Sequence, residues 1–153
     1  MCRREFMKKT SDIEALKDIC KQIRTEGQVN SVHLTRLSST FGSRLAKAWE
    51  TVKERRIKKY VFKPSGRVVW IVVGKEREYL VMPAADFCSC EDFYFRFDKG
   101  HLCYHIIAQK LAEAASRFDL IEEEDSFYDI LIREWKTVET RVSKKHQKEE
   151  ATL

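Results

Sequence analysis

Apolar positions along the chain fall into two periods. Ile13, Leu16, Ile19, Cys20 and Ile23 recur at helical spacing, opened by a capping-box pattern of Ser11 with Glu14 and stopped at Gly27. Val29 to Leu37 reads as a short helix or an irregular connection, with His33 there a surface or packing residue. A second clear helix is expected over Phe41, Leu45, Ala48, Trp49 and Val52, capped by Ser39 or Thr40 and carrying Arg44, Lys47, Lys53 and Arg55 on the opposite face. From Lys59 to Pro83 the texture changes. Tyr60–Phe62, Arg67–Val73 and Tyr79–Met82 are short β-rich runs separated by Pro64-Ser65-Gly66 and Gly74-Lys75-Glu76, which predicts a three-stranded antiparallel meander. A further helix follows His105, with Ile106, Ile107 and Leu111 among alanines. After Glu122-Glu123-Glu124-Asp125 the last amphipathic helix holds Phe127, Ile130, Leu131, Trp135 and Val138. The expected class is α+β. Residues 1–57 form an N-terminal helical region, 58–117 the strands and a following helix, 118–142 a C-terminal helical region, and 143–153 a charged tail.

Composition narrows the class of protein. A chain of 153 residues with 43% hydrophobic residues, five Gly and two Pro can build a core, and is neither collagen-like nor simply disordered. No apolar run approaches the roughly 18 residues of a membrane span, and Met1-Cys2-Arg3-Arg4-Glu5 leads into no secretory segment, so an unexported chain is expected. That would be cytoplasmic in a prokaryote or archaeon and nuclear in a eukaryote. The net charge of +5 is unevenly spread: the excess of Lys and Arg lies in residues 1–77, whereas residues 78–153 are acidic. Such a split suggests two faces with different partners. The densest basic stretch supplies Lys53, Arg55, Arg56, Lys58, Lys59 and Lys63. It can track a phosphate backbone beside the stacking rings Tyr60 and Phe62, or serve as a solvated helix end.

The cysteines carry the sharpest chemical signal. In a reducing compartment five thiols point to metal or redox chemistry rather than disulfides. Cys20 sits on an apolar stripe and reads as core. Cys88-Ser89-Cys90 and, after twelve residues, Cys103-Tyr104-His105 supply three thiolates and an imidazole in two close pairs. That set closes the tetrahedral shell of a structural Zn²⁺. His101 is the competing imidazole; His105 is preferred because it opens a helix whose packing would fix its orientation. Glu91 and Asp92 are adjacent, but a closed shell leaves no position for water. The deaminase signature, H-E-x-x-H and the Walker loop are all absent from the sequence, so no enzymatic activity is expected. Acidic residues dominate 86–125, which disfavours base reading by the finger itself. Phe93, Tyr94 and Phe95 cannot all face inward on one helix, and at least one is a candidate anchor for a protein partner.

The spacing C-x-C, variable spacer, C-x-H resembles that of the SWIM zinc-finger family, with Cys88, Cys90, Cys103 and His105 at its four places. The likeness extends over residues 40–117 to the small SWIM proteins of the Shu recombination complex and their archaeal relatives, at Phe41-Gly42-Ser43, Pro64-Ser65-Gly66-Arg67 and Cys88-Ser89-Cys90. This resemblance implies a ββα-like finger with one structural zinc. It implies pairing with a RecA-like recombinase paralogue, an ATPase, to promote homologous recombination and DNA repair by assisting a recombinase on single-stranded DNA. The rival expectation is a stand-alone nucleic-acid-binding regulator related to mobile-element proteins; a thiol or zinc enzyme is the third.

Overall fold

The computed structural model describes residues 2–85, 87–91 and 102–136, with side chains from Asp12 onward. Three helices come first: α1 (Cys2–Glu26), α2 (Ser31–Phe41) and α3 (Ser43–Lys53). Helix α1 begins nine residues before Ser11, because Arg, Glu, Met and Lys of the first turns are good helix formers. It ends as expected: Gly27 takes φ +79° and its amide bonds to Ile23 O at 2.7 Å. Asn30 then caps α2, its Oδ1 accepting from the His33 amide at 3.0 Å while His33 Nδ1 accepts from the Asn30 amide at 3.2 Å. His33 is therefore a buried half of a reciprocal cap, its Nε2 3.2 Å from Glu26.

The corner before α3 departs from expectation. Ser39 and Thr40 lie inside α2, their hydroxyls bonded back to Thr35 O and Arg36 O, and Phe41 is its last residue. The break falls at Gly42, whose φ +60° and ψ −131° exclude a side chain. Residue conformation, not capping chemistry, sets this boundary.

Five strands follow in the spatial order β4-β3-β2-β1-β5. β1 (Ile57–Lys63), β2 (Arg67–Val73), β3 (Glu78–Met82) and β4 (Phe87–Cys88) pair antiparallel in sequence order. Helix α4 (Tyr104–Ala115) then carries the chain across the sheet to β5 (Asp119–Glu124), which runs parallel to β1. The sheet is thus larger than the three strands expected, and mixed. Asp-Leu-Ile-Glu-Glu-Glu has no apolar alternation to announce a strand; it is recruited by tertiary pairing, in register Lys58↔Asp119 through Lys63↔Glu124, against a basic neighbour.

Both faces of the sheet are covered. Ile57, Trp70, Val72, Val81 and Cys88 join one core with the apolar stripes of α1 to α4. Phe62, Val69, Ile71 and Leu80 face the other way, against α5 (Tyr128–Lys136). Burial on both faces explains the near-continuous apolar run of β2. The buried face of α5 consists of Tyr128, Leu131, Ile132 and Trp135, whereas Phe127 and Ile130, expected on it, are exposed, and Val138 lies outside the described residues. The rotation follows from two anchors: Trp135 Nε1 donates to Glu78 Oε2 at 3.0 Å, and the Tyr128 ring meets Phe62 edge-on at 5.0 Å. Asp125 also clamps the β1–β2 turn, accepting from Ser65 Oγ at 2.6 Å and the Ser65 amide at 2.9 Å.

Candidate metal centre

Strand periodicity and a helix start deliver the four candidate ligands to one place. Cys88 ends β4 opposite Val81, on the face that meets the helices. Ser89 points away, where its Oγ accepts the Leu80 amide at 2.9 Å while its own amide donates to Leu80 O at 2.9 Å. Those bonds hold the strand end so that Cys90, two residues on, returns to the side of Cys88. Cys103 is the N-cap residue of α4 and His105 lies in its first turn.

The Sγ atoms of Cys88, Cys90 and Cys103 and a ring nitrogen of His105 all lie within 4.8 Å of one another, and all four residues are buried. Sulfurs bound at the ordinary zinc–thiolate length stand about 3.8 Å apart on a tetrahedron, so closing this cluster on an ion requires shifts of about 1 Å or less. Neither Nδ1 nor Nε2 of His105 has a hydrogen-bond partner among the described residues, although both are buried. An orphaned buried imidazole costs free energy unless something occupies its lone pair. The thiols repeat the message. Hydrogen bonding to Cys103 and Cys90, with burial, drives the Cys88 pKa well above the ordinary thiol range. For Cys103 the bond with Cys88 pulls downward, but Cys90 and burial outweigh it and push the value to about 12. Three crowded thiols resist ionising together; a divalent cation inverts that balance. The cluster can hold a metal ion.

Aromatic rings fix the imidazole. Tyr79 of β3 lies 4.0 Å from it, centroid to centroid, and Tyr104 of α4 lies 3.9 Å away. Arg77 stands 5.0 Å over Tyr79 and pairs with Glu91 at 3.6 Å, so the carboxylate beside Cys90 is engaged by a guanidinium. Neither Tyr79 nor Ser89 was singled out by spacing; strand alternation around the ligands is the signal that would have found them. Asp92, Phe93, Tyr94, Phe95 and His101 lie outside the described residues.

The basic stretch makes ion pairs and ring contacts within the chain while Arg55 and Lys63 stay more than half exposed. Arg56 Nε is 2.8 Å from Glu54, Lys58 is 3.3 Å from Glu78, Lys63 is 3.1 Å from Glu122 and Arg55 is 3.9 Å from Asp119. Lys59 lies over the rings of Trp70 and Phe118, and Lys53 is exposed at the end of α3. Among the described residues, four of the six ion pairs join residues 1–77 to residues 78–153. These pairs bring residues of the two charge-biased halves together along the β1–β5 seam and at β3. No described helix is long and apolar enough to cross a membrane.

No protein-family model matches the chain. It is 32% identical over 120 residues to the zinc finger SWIM domain-containing protein 7 homolog of Dictyostelium discoideum, covering 74% of this chain and 77% of that protein. It is also 36% identical over 89 residues to an uncharacterized protein of Archaeoglobus fulgidus, covering 58% of this chain and 68% of that protein.

Proposed function

Because the chain belongs to the family of the zinc finger SWIM domain-containing protein 7 homolog, we propose that it is a non-enzymatic accessory protein built around one structural Zn²⁺. Cys88, Cys90, Cys103 and His105 hold the ion. The observation that carries this reading is their convergence, buried and within 4.8 Å, with both His105 nitrogens otherwise unpartnered among the described residues. Three thiolates and one imidazole fill a tetrahedral zinc and leave no site for an activated water. The ion staples the β3–β4 hairpin to the first turn of α4, the helix that crosses the sheet.

The role is recombinational repair, in which the protein pairs with a RecA-like recombinase paralogue and assists recombinase assembly on single-stranded DNA. Resemblance at Phe41-Gly42-Ser43, Pro64-Ser65-Gly66-Arg67 and the ligand spacing supports this assignment. The ion pairs along Arg55–Lys63 favour the protein partner as the principal DNA contact, because phosphates must compete there with carboxylates of the chain itself. Phe93, Tyr94 and Phe95 remain the proposed partner anchors. A tagged pull-down from the native source tests the assignment together with zinc analysis. A Walker-motif ATPase in equal amount and one zinc per chain are expected. Tight duplex binding by the isolated chain, with no ATPase recovered, would overturn it in favour of a stand-alone nucleic-acid-binding regulator.

A further inference from the structure

The corner at Phe41-Gly42-Ser43-Arg44 is remote in sequence from the ligands yet reaches them in space. Arg44 Nη1 donates to Leu102 O at 2.5 Å, across 58 residues. Leu102 immediately precedes Cys103, the N-cap of α4 and the first member of the second ligand pair. The guanidinium lies 5.4 Å over the ring of Phe41, itself buried at the end of α2. Gly42 sets the angle between these two residues, since its backbone conformation ends one helix and starts the next.

We propose that this corner belongs to the metal centre and that Arg44 is the positioning residue for the Cys103–His105 pair. The inference rests on the zinc reading above and deepens it. A charge-assisted hydrogen bond to Leu102 O fixes the peptide plane from which the Cys103 side chain departs, and so the direction of its Sγ. The same bond sets where α4 begins, and with it the approach of His105. The planar guanidinium can stack on Phe41 and donate at its edge at once, a combination that an ammonium cannot reproduce. Arg44 also places a positive charge one residue from Cys103, where three thiolates around a divalent ion leave an excess of negative charge.

The test uses the full chain loaded with zinc and titrated against chelators of graded affinity, with Co²⁺ substitution reporting the coordination sphere. R44M should bind zinc about 10- to 100-fold more weakly, the range typical of residues that orient ligands, and R44K should recover part of the loss. L37A serves as the comparator, because it lowers stability from within α2 at a buried residue whose side chain cannot hydrogen-bond to Leu102 O. A weaker affinity for R44M than for L37A at matched stability supports the proposal; equal affinities overturn it. Should R44M fail to fold, unchanged zinc release from R44K overturns it in the same way. A wild-type chain that binds neither zinc nor Co²⁺ with a thiolate spectrum would instead refute the zinc reading itself, and the proposal with it.

Discussion

Replacing Gly74 with Ala adds a single methyl group beside the metal centre, and the structure gives its consequence. A Cβ built there would lie 2.7 Å from Tyr79 Cε2 and 3.0 Å from Arg77 O, where carbon–carbon contacts ordinarily settle at about 3.5–4.0 Å. Neither neighbour retreats easily. Arg77 O accepts the Gly74 amide at 2.9 Å, and the Tyr79 ring is held between the Arg77 guanidinium and the His105 imidazole. Overpacking of this kind costs about 1–3 kcal/mol. Restricting the unfolded chain returns about 0.4–1 kcal/mol. The expected net loss is centred on about 1 kcal/mol and reaches at most about 2.6 kcal/mol, read as a lower urea midpoint at saturating zinc. The double variant G74A/Y79L should lose less than the two single changes together, since removing the ring opens the space. Gly66→Ala provides the contrast: nothing lies within 4 Å of its added Cβ, but φ is +78°, so it should cost about 1–2 kcal/mol through backbone strain that Y79L cannot relieve. A G74A chain more stable than the wild type, or strict additivity with Y79L, would refute the reasoning.

His105→Ala should lose stoichiometric zinc by elemental analysis whereas His101→Ala keeps it; full retention in His105→Ala would remove it from the ligand set. Burial pushes the Cys20 thiol up to about 11, so at pH 8 only about one molecule in a thousand is thiolate. Alkylation of Cys20 in the folded chain should therefore be slow and quicken toward pH 11. The sign for stability follows: the unfolded thiol ionises first, so this group's contribution is intact below about pH 9 and is lost as pH rises through 11. Asp125→Ala removes the two carboxylate oxygens that accept from Ser65 and should lower stability by about 1–2 kcal/mol in a urea melt, with zinc content unchanged. Charge reversal at Arg55, Arg56, Lys58 and Lys59 should weaken any single-strand binding by the isolated chain and flatten its salt dependence; unchanged binding places the DNA contact on the partner.

The amino-acid sequence determined the metal-ligand spacing, because C-x-C and C-x-H are local patterns whose chemistry does not depend on what surrounds them. It determined the stripes of α1 and α4 and the three central strands, where period and turn residues agree. The charge split was legible too, but its meaning was not. Only the tertiary structure decided that β5 pairs with β1, since a run of carboxylates becomes a strand when a basic neighbour lies beside it. That pairing sets Arg55 and Lys63 of the basic stretch beside Asp119 and Glu122, in ion pairs at the surface. Tertiary contacts also turned α5 onto Tyr128, Leu131, Ile132 and Trp135, through the Trp135–Glu78 hydrogen bond and the Tyr128–Phe62 ring contact. The wedge of Tyr79 against His105 and the reach of Arg44 to Leu102 join residues 26 and 58 positions apart. Their partners are set by long-range packing, which no local period encodes.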